Sequence, residues 1–231
     1  MKKITQMTSQ ERLFLEACVN NDVDYINANV KSLKNKSFAD EENVSPMLAC
    51  MLNNSFDVAN ILIENGFDID FDGKDTAPIT MAIVSNSAEA LNYLIKKGVD
   101  LNLPIENDYM TRPIAFSINQ GLKDMTQILI DNGVDLSCNS IIHITDIENC
   151  TDEWPMISIA SQSNDLDLFE LVMKNSDVNS KSKLGLLPFF CLMSKSSDQN
   201  HSFQNKAARM LIENGAKLEP NTENSSQGIS S

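Results

Sequence analysis

Four stretches of this chain close in the same way: Ile61-Leu62-Ile63-Glu64-Asn65-Gly66, Tyr93-Leu94-Ile95-Lys96-Lys97-Gly98, Ile128-Leu129-Ile130-Asp131-Asn132-Gly133 and Met210-Leu211-Ile212-Glu213-Asn214-Gly215. A proline stands twenty residues before each of the first three glycines, at 46, 78 and 113, and further prolines at 155 and 188 give successive spacings of 32, 35, 42 and 33. Self-similarity at such a period marks a stack of small units, each too small to bury its own apolar face, so the core lies between neighbours. Proline suits the first turn of a helix, where its missing N–H is no loss. Glycine takes the left-handed conformation that ends one. Between these marks, Met47, Cys50 and Met51, then Val58, Ile61 and Leu62, keep helical spacing on either side of a polar dip at Asn53-Asn54-Ser55. Each repeat therefore reads as helix, turn, helix.

With Ser45-Pro46-Met47-Leu48-Ala49-Cys50 and Ala77-Pro78-Ile79-Thr80-Met81-Ala82 opening two of the repeats, the units resemble ankyrin repeats. The resemblance covers roughly residues 10 to 220 and implies an all-α solenoid of stacked helix-turn-helix units with projecting finger loops. The expected divisions are an atypical cap at about 10–40, repeats at about 41–72, 73–106, 107–148, 149–181 and 182–220, and a polar, disordered tail at 221–231. The family's histidine is replaced throughout, by Leu48, Thr80, Ala115, Ile157 and Phe190, so stability leans on apolar packing. Two irregularities are expected: Asn175 or Ser176 takes the place of a helix-ending glycine, and Ser194 to Phe203 carries a seven-residue insertion.

The balance of 18 Lys+Arg against 32 Asp+Glu gives a formal charge of -14, which disfavours phosphate backbones and favours a basic protein partner. Twelve of the acids fall in three consecutive fingers: Asp68, Asp70, Asp72 and Asp75; Asp100, Glu106 and Asp108; Asp135, Asp146, Glu148, Asp152 and Glu153. Lys74 alone opposes them. Asp68, Asp100, Asp135 and Asp177 recur where the family's finger begins and read as turn formers. The third finger is the longest, with 21 residues between Gly133 and Pro155 and a strand-like Ile141-Ile142-His143-Ile144-Thr145 that predicts a hairpin or a packed loop. Fingers and first helices line the face that binds proteins in this family. The contact residues expected there are Trp154 and Tyr109, with Phe71, Met110, Asp72, Asp75, Glu106, Asp108, Asp152 and Glu153. The competing reading of Trp154 is that it packs its own finger.

Other chemistries find little support. Asp68-Ile69-Asp70-Phe71-Asp72-Gly73 copies half of a calcium loop, but its twelfth position is Ile79 where a bidentate glutamate is needed. Cys138, His143 and Cys150 match no common zinc spacing and lack a fourth ligand, so no metal or other cofactor is expected. Cys18, Cys50 and Cys191 occupy apolar positions of first helices, and the odd, wide spacing of five cysteines is no disulfide framework. No nucleophile is tied to a base, and eight glycines leave little material for a phosphate loop, so catalysis is not expected. No apolar run approaches a membrane span or a secretory leader, which points to the cytoplasm. The resemblance implies a non-enzymatic interaction module, here a bacterial effector that reaches a host protein without a classical signal peptide. The alternative is an immunity protein or antitoxin-like inhibitor of a basic toxin such as a nuclease. Neither reading sets an oligomeric state.

Overall fold

The computed structural model describes residues 7–34, 36, 38–42, 44–70, 77–102, 112–143, 151–194 and 201–218, with the side chains of 141–143 and 151 excepted. These residues form six pairs of α-helices: α1 (Ser9–Val19) with α2 (Val23–Asn29), α3 (Pro46–Asn53) with α4 (Phe56–Glu64), α5 (Pro78–Val84) with α6 (Ala88–Lys97), α7 (Pro113–Asn119) with α8 (Lys123–Asp131), α9 (Met156–Ala160) with α10 (Leu166–Lys174), and α11 (Pro188–Met193) with α12 (His201–Glu213). Strands β1 (Asn139–His143) and β2 (Thr151–Pro155) pair antiparallel between α8 and α9. Prolines 46, 78, 113 and 188 open their helices as their chemistry demands. Pro155 differs: it ends β2 and caps α9 from outside.

The chain divides into two compact units, the first Met1–Pro113 with Asp131–Val134, the second Ile114–Ile130 with Asp135–Ser231. In the first, α1 begins in a reciprocal capping box: Glu11 N–H donates to Thr8 Oγ1 (3.2 Å) and Thr8 N–H donates to Glu11 Oε2 (2.8 Å). Phe14, fully buried, stacks on Phe67 with ring centroids 6.2 Å apart and meets Phe38 edge-on at 6.1 Å. First helices pack in the order α1, α3, α5. Second helices are tied by Tyr93, whose ring stacks on Phe56 at 4.6 Å and whose hydroxyl donates to Asn60 Oδ1 at 3.0 Å.

The second unit holds a buried hydroxyl pair between its first two helices, Ser117 Oγ to Thr126 Oγ1 at 3.0 Å. Gln162 Nε2 donates to the Cys191 carbonyl at 2.7 Å, fixing the turn after α9 to α11, and Phe169 meets Phe203 edge-on. Residues 195–200 lie outside the description, so the expected insertion is seen only at its margins. His201, Ser202 and Phe203 are already helical, and α12 runs for 13 residues.

The left-handed residues show a regularity that the sequence reading overlooked. Gly98 and Gly133 end their helices at φ +86° and +82°, as expected. The inter-helix turns carry a second such position, occupied by Asn21, Asn54, Asn86, Gly121 and Asn164. There the residue after the turn donates back into the first helix: Asp22 N to Ala17 O, Ser55 N to Cys50 O, Ser87 N to Ala82 O and Leu122 N to Ser117 O, each 2.9 Å. Asparagine tolerates this conformation best after glycine. Asn175 does not take it. Its φ is -112°, and its side chain donates to Leu171 O at 2.9 Å. The backbone N–H groups of Asn175 and Ser176 bond to Val172 O and Met173 O, so α10 tightens to a close without a left-handed residue.

Candidate partner-binding surface

The recurring finger aspartates do structural work. Asp68, Asp100, Asp135 and Asp177 each accept, through Oδ1, the backbone N–H of the residue two further on, at 2.8 to 3.0 Å. This local bond makes the finger turn independently of any partner. The next polar position then links neighbouring fingers. Asp70 Oδ1 accepts Asp100 N–H at 2.6 Å in the first unit, and in the second Asn179 Oδ1 accepts Lys217 N–H at 2.8 Å while its amide donates to Gly215 O.

The third finger is the predicted hairpin. Its register sets Ser140 opposite Trp154 and Ile142 opposite Asp152. Trp154 is only 8% exposed, and Asp152 1%. Alternation along β2 puts both on one face, where Trp154 Nε1 donates to Asp152 Oδ2 at 3.0 Å. The other carboxylate oxygen accepts Leu184 N–H at 3.1 Å and Glu153 N–H at 2.8 Å. Asp152 is therefore a buried clamp that joins the hairpin to the following finger, and Trp154 is buried against its own hairpin. As placed, neither presents the contact expected of it. Glu153 is half-exposed, but its carboxylate pairs with Lys183 at 2.6 Å. The other expected contacts, Phe71, Asp72, Asp75, Glu106, Asp108, Tyr109 and Met110, lie outside the described residues, as does the tail at 221–231.

A surface that sequence reasoning did not single out appears once the repeats are aligned on the left-handed turn. Two residues before it stand Val19, Leu52 and Val84, on α1, α3 and α5, each between 41% and 51% exposed. In the second unit the same position is polar, Asn119 and Gln162. Three residues after the turn, at the second position of each second helix, stand Asp24, Asp57 and Glu89 in the first unit and Asp124 and Asp167 in the second. Carboxylates at a helix start are favoured by the helix dipole. In the second unit Asp167 is spoken for by Lys123, whose ammonium lies 2.8 Å away and holds the Asp167 carboxyl below its ordinary range. Asp57 accepts only an uncharged donor among the described bonds, Asn21 Nδ2 at 3.2 Å. The signal was in the sequence: an aliphatic residue before Asn-Asn or Ser-Asn, once in each helix pair of the first unit.

Nucleophiles are poorly poised. The Cys18 thiol, hydrogen-bonded to Cys50 and buried, is held far above its ordinary range. Burial pushes Cys191 up to about 11. Thiols so placed are inert at neutral pH. Among the described residues no group of three or more His, Cys, Asp or Glu is placed to hold a metal ion, and no helix is long and apolar enough to cross a membrane.

Residues 13–105 match the family model for ankyrin repeats in three copies. Among solved structures, the human ASB11 ankyrin repeat domain is similar over 89% of this chain and 85% of its own, at 17% identity and a TM-score of 0.60. An ankyrin repeat domain from Acinetobacter baumannii AYE is similar over 90% of this chain and all of its own, at 19% identity and a TM-score of 0.64. No curated protein sequence matches the chain.

Proposed function

We propose that this chain, which folds as an ankyrin repeat domain and matches the family model over residues 13–105, is a non-enzymatic protein-binding module whose partner lays an apolar segment with basic flanks along the first unit. The observation that carries this reading is the exposed row Val19, Leu52 and Val84 on three successive first helices, with Asp24, Asp57 and Glu89 one helix start away. Exposed aliphatic side chains in register on stacked helices supply an apolar contact line. The carboxylates choose the sign of what lies beside it. Finger residues Asp72, Asp75, Glu106 and Asp108, with Phe71, Tyr109 and Met110, extend the contact on the sequence reading. A bacterial effector acting on a host protein is the setting in which we place this module. An inhibitor of a basic enzyme would use the same chemistry.

The test is a photo-crosslinking residue at position 52, with captured proteins identified by mass spectrometry from candidate host lysate. Capture of a basic protein, lost in the variant Val84→Glu and weakened steeply by salt, supports the reading. Capture indifferent to Val84→Glu, or confined to acidic proteins, overturns it.

A further inference from the structure

The row Val19, Leu52 and Val84 has a fixed spacing. Each residue stands two positions before a left-handed turn residue, Asn21, Asn54 or Asn86, and the helices that carry them, α1, α3 and α5, pack consecutively. Axes of packed helices lie about 8–10 Å apart, so the surface offers one aliphatic station in each such interval. Next to each station in the chain is an exposed polar residue, Asn20, Asn53 or Ser85. The side-chain amides of Asn20 and Asn53 donate to Glu16 O and Ala49 O, both at 2.9 Å, and the Ser85 hydroxyl donates to Met81 O at 2.8 Å. A carbonyl only accepts, so each amide turns its nitrogen to its own helix and its oxygen away from it. Among the described residues no donor reaches Asn20 Oδ1 or Asn53 Oδ1.

We infer, resting on the proposed role of this row, that the partner segment bound along it is a polyproline-type helix with an aliphatic residue at every third position and a basic residue in each interval. Period decides among the conformations. A polyproline helix returns to the same face every third residue, after about 9.3 Å, which falls inside the spacing of the stations. A β-strand returns after about 6.6 Å or about 13 Å and misses them. An α-helix returns after seven residues, about 10.5 Å, at the upper edge, and the amide row separates it from the first. An α-helix satisfies its backbone N–H groups internally, whereas a polyproline helix leaves them free to donate. Asn20 Oδ1 and Asn53 Oδ1 are acceptors for such donors. Asp24, Asp57 and Glu89, again one per helix pair, call for one cation in each interval. Three stations at this period are spanned by a segment of seven residues.

Fluorescence anisotropy of labelled synthetic peptides titrated with the full chain tests this. Three peptides carry equal numbers of leucines and lysines: one repeats Leu-Lys-Pro, one alternates leucine with lysine, and one sets its leucines seven residues apart in an alanine-rich helix. Equal charge cancels the general attraction of a cation to an acidic chain. The Leu-Lys-Pro peptide is expected to bind at least ~10-fold more tightly than either of the others and to lose that advantage in Leu52→Ser. Asn53→Ala, with an unchanged circular dichroism spectrum, is expected to weaken it ~3-fold or more and to leave the helical peptide unaffected. Equal or tighter binding of the helical or alternating peptide, or a Leu-Lys-Pro peptide indifferent to Asn53→Ala, overturns the inference and leaves the row standing as a binding surface. A Leu-Lys-Pro peptide that does not bind overturns it as well. The row itself falls only if the crosslinker at position 52 also captures nothing that Val84→Glu releases.

Discussion

The two compact units solve the same packing problem with different ends. The first opens on a helix pair with a capping box, Thr8 with Glu11, and surface residues such as Arg12 and Glu16 on α1, while Phe14 fills the inside. The second closes on a pair whose outer side carries Phe189, Phe190 and Met193, and it commits a buried carboxylate to holding a long hairpin. Each pair in such a stack packs on its neighbours through its faces. On α1 the exposed side mixes Arg12, Leu13 and Glu16, whereas α11 leaves Phe189 and Phe190 half-buried and Met193 exposed.

Phe14→Ala should expose the difference most. Removing a fully buried aromatic is expected to cost ~3–5 kcal/mol in denaturant unfolding, against under ~1 kcal/mol for Met193→Ala, at a side chain already exposed. Equal costs would erase the distinction between the ends. Asp152→Ala should come next, at about 2–3 kcal/mol, because three donors lose a charged acceptor inside the second unit; thermal melts followed by circular dichroism measure it. A loss under about 0.5 kcal/mol would mean that the hairpin is held by packing alone.

Alkali should act on Cys191. Its buried thiol titrates in the folded protein at about 11 against an ordinary 9.0, so the unfolded chain releases its proton first. That contribution is intact below pH 9 and is lost as pH rises from 9 towards about 11. Cys191→Ala should flatten this part of the stability profile, and an unchanged slope would show that other groups govern it.

Thr8→Ala should cost the first unit ~1 kcal/mol through its cap, read as a lowered unfolding midpoint. Thr80→Val should have the smallest effect and the opposite sign. Thr80 Oγ1 is buried without a hydrogen-bond partner, so exchanging the hydroxyl for a methyl is expected to gain a few tenths to ~1 kcal/mol.

Prolines 46, 78, 113 and 188 and the closing glycines made the helix pairs legible, because each residue type leaves the backbone few choices at a helix end. The inter-helix asparagines were equally regular, but Asn is common in this chain and a polar dip does not reveal a sign of φ. The site was harder. Trp154 reads as an exposed anchor beside a helix-opening proline until the strand register is known; then alternation sets it beside Asp152, facing inward. The ridge of Val19, Leu52 and Val84 shows up only when the turns, rather than the prolines, are aligned, since Val19 has no proline before it.

The burial of Trp154 has a spectroscopic consequence. It is the chain's one tryptophan, it belongs to the second unit, and its indole N–H is tied to Asp152. Its fluorescence therefore reports the hairpin and its surroundings, while far-ultraviolet circular dichroism sums over the helices of both units. Coincident melting curves would establish a single cooperative transition, and separated ones would count the folding steps. The molecule carries its own local thermometer, with no label to add.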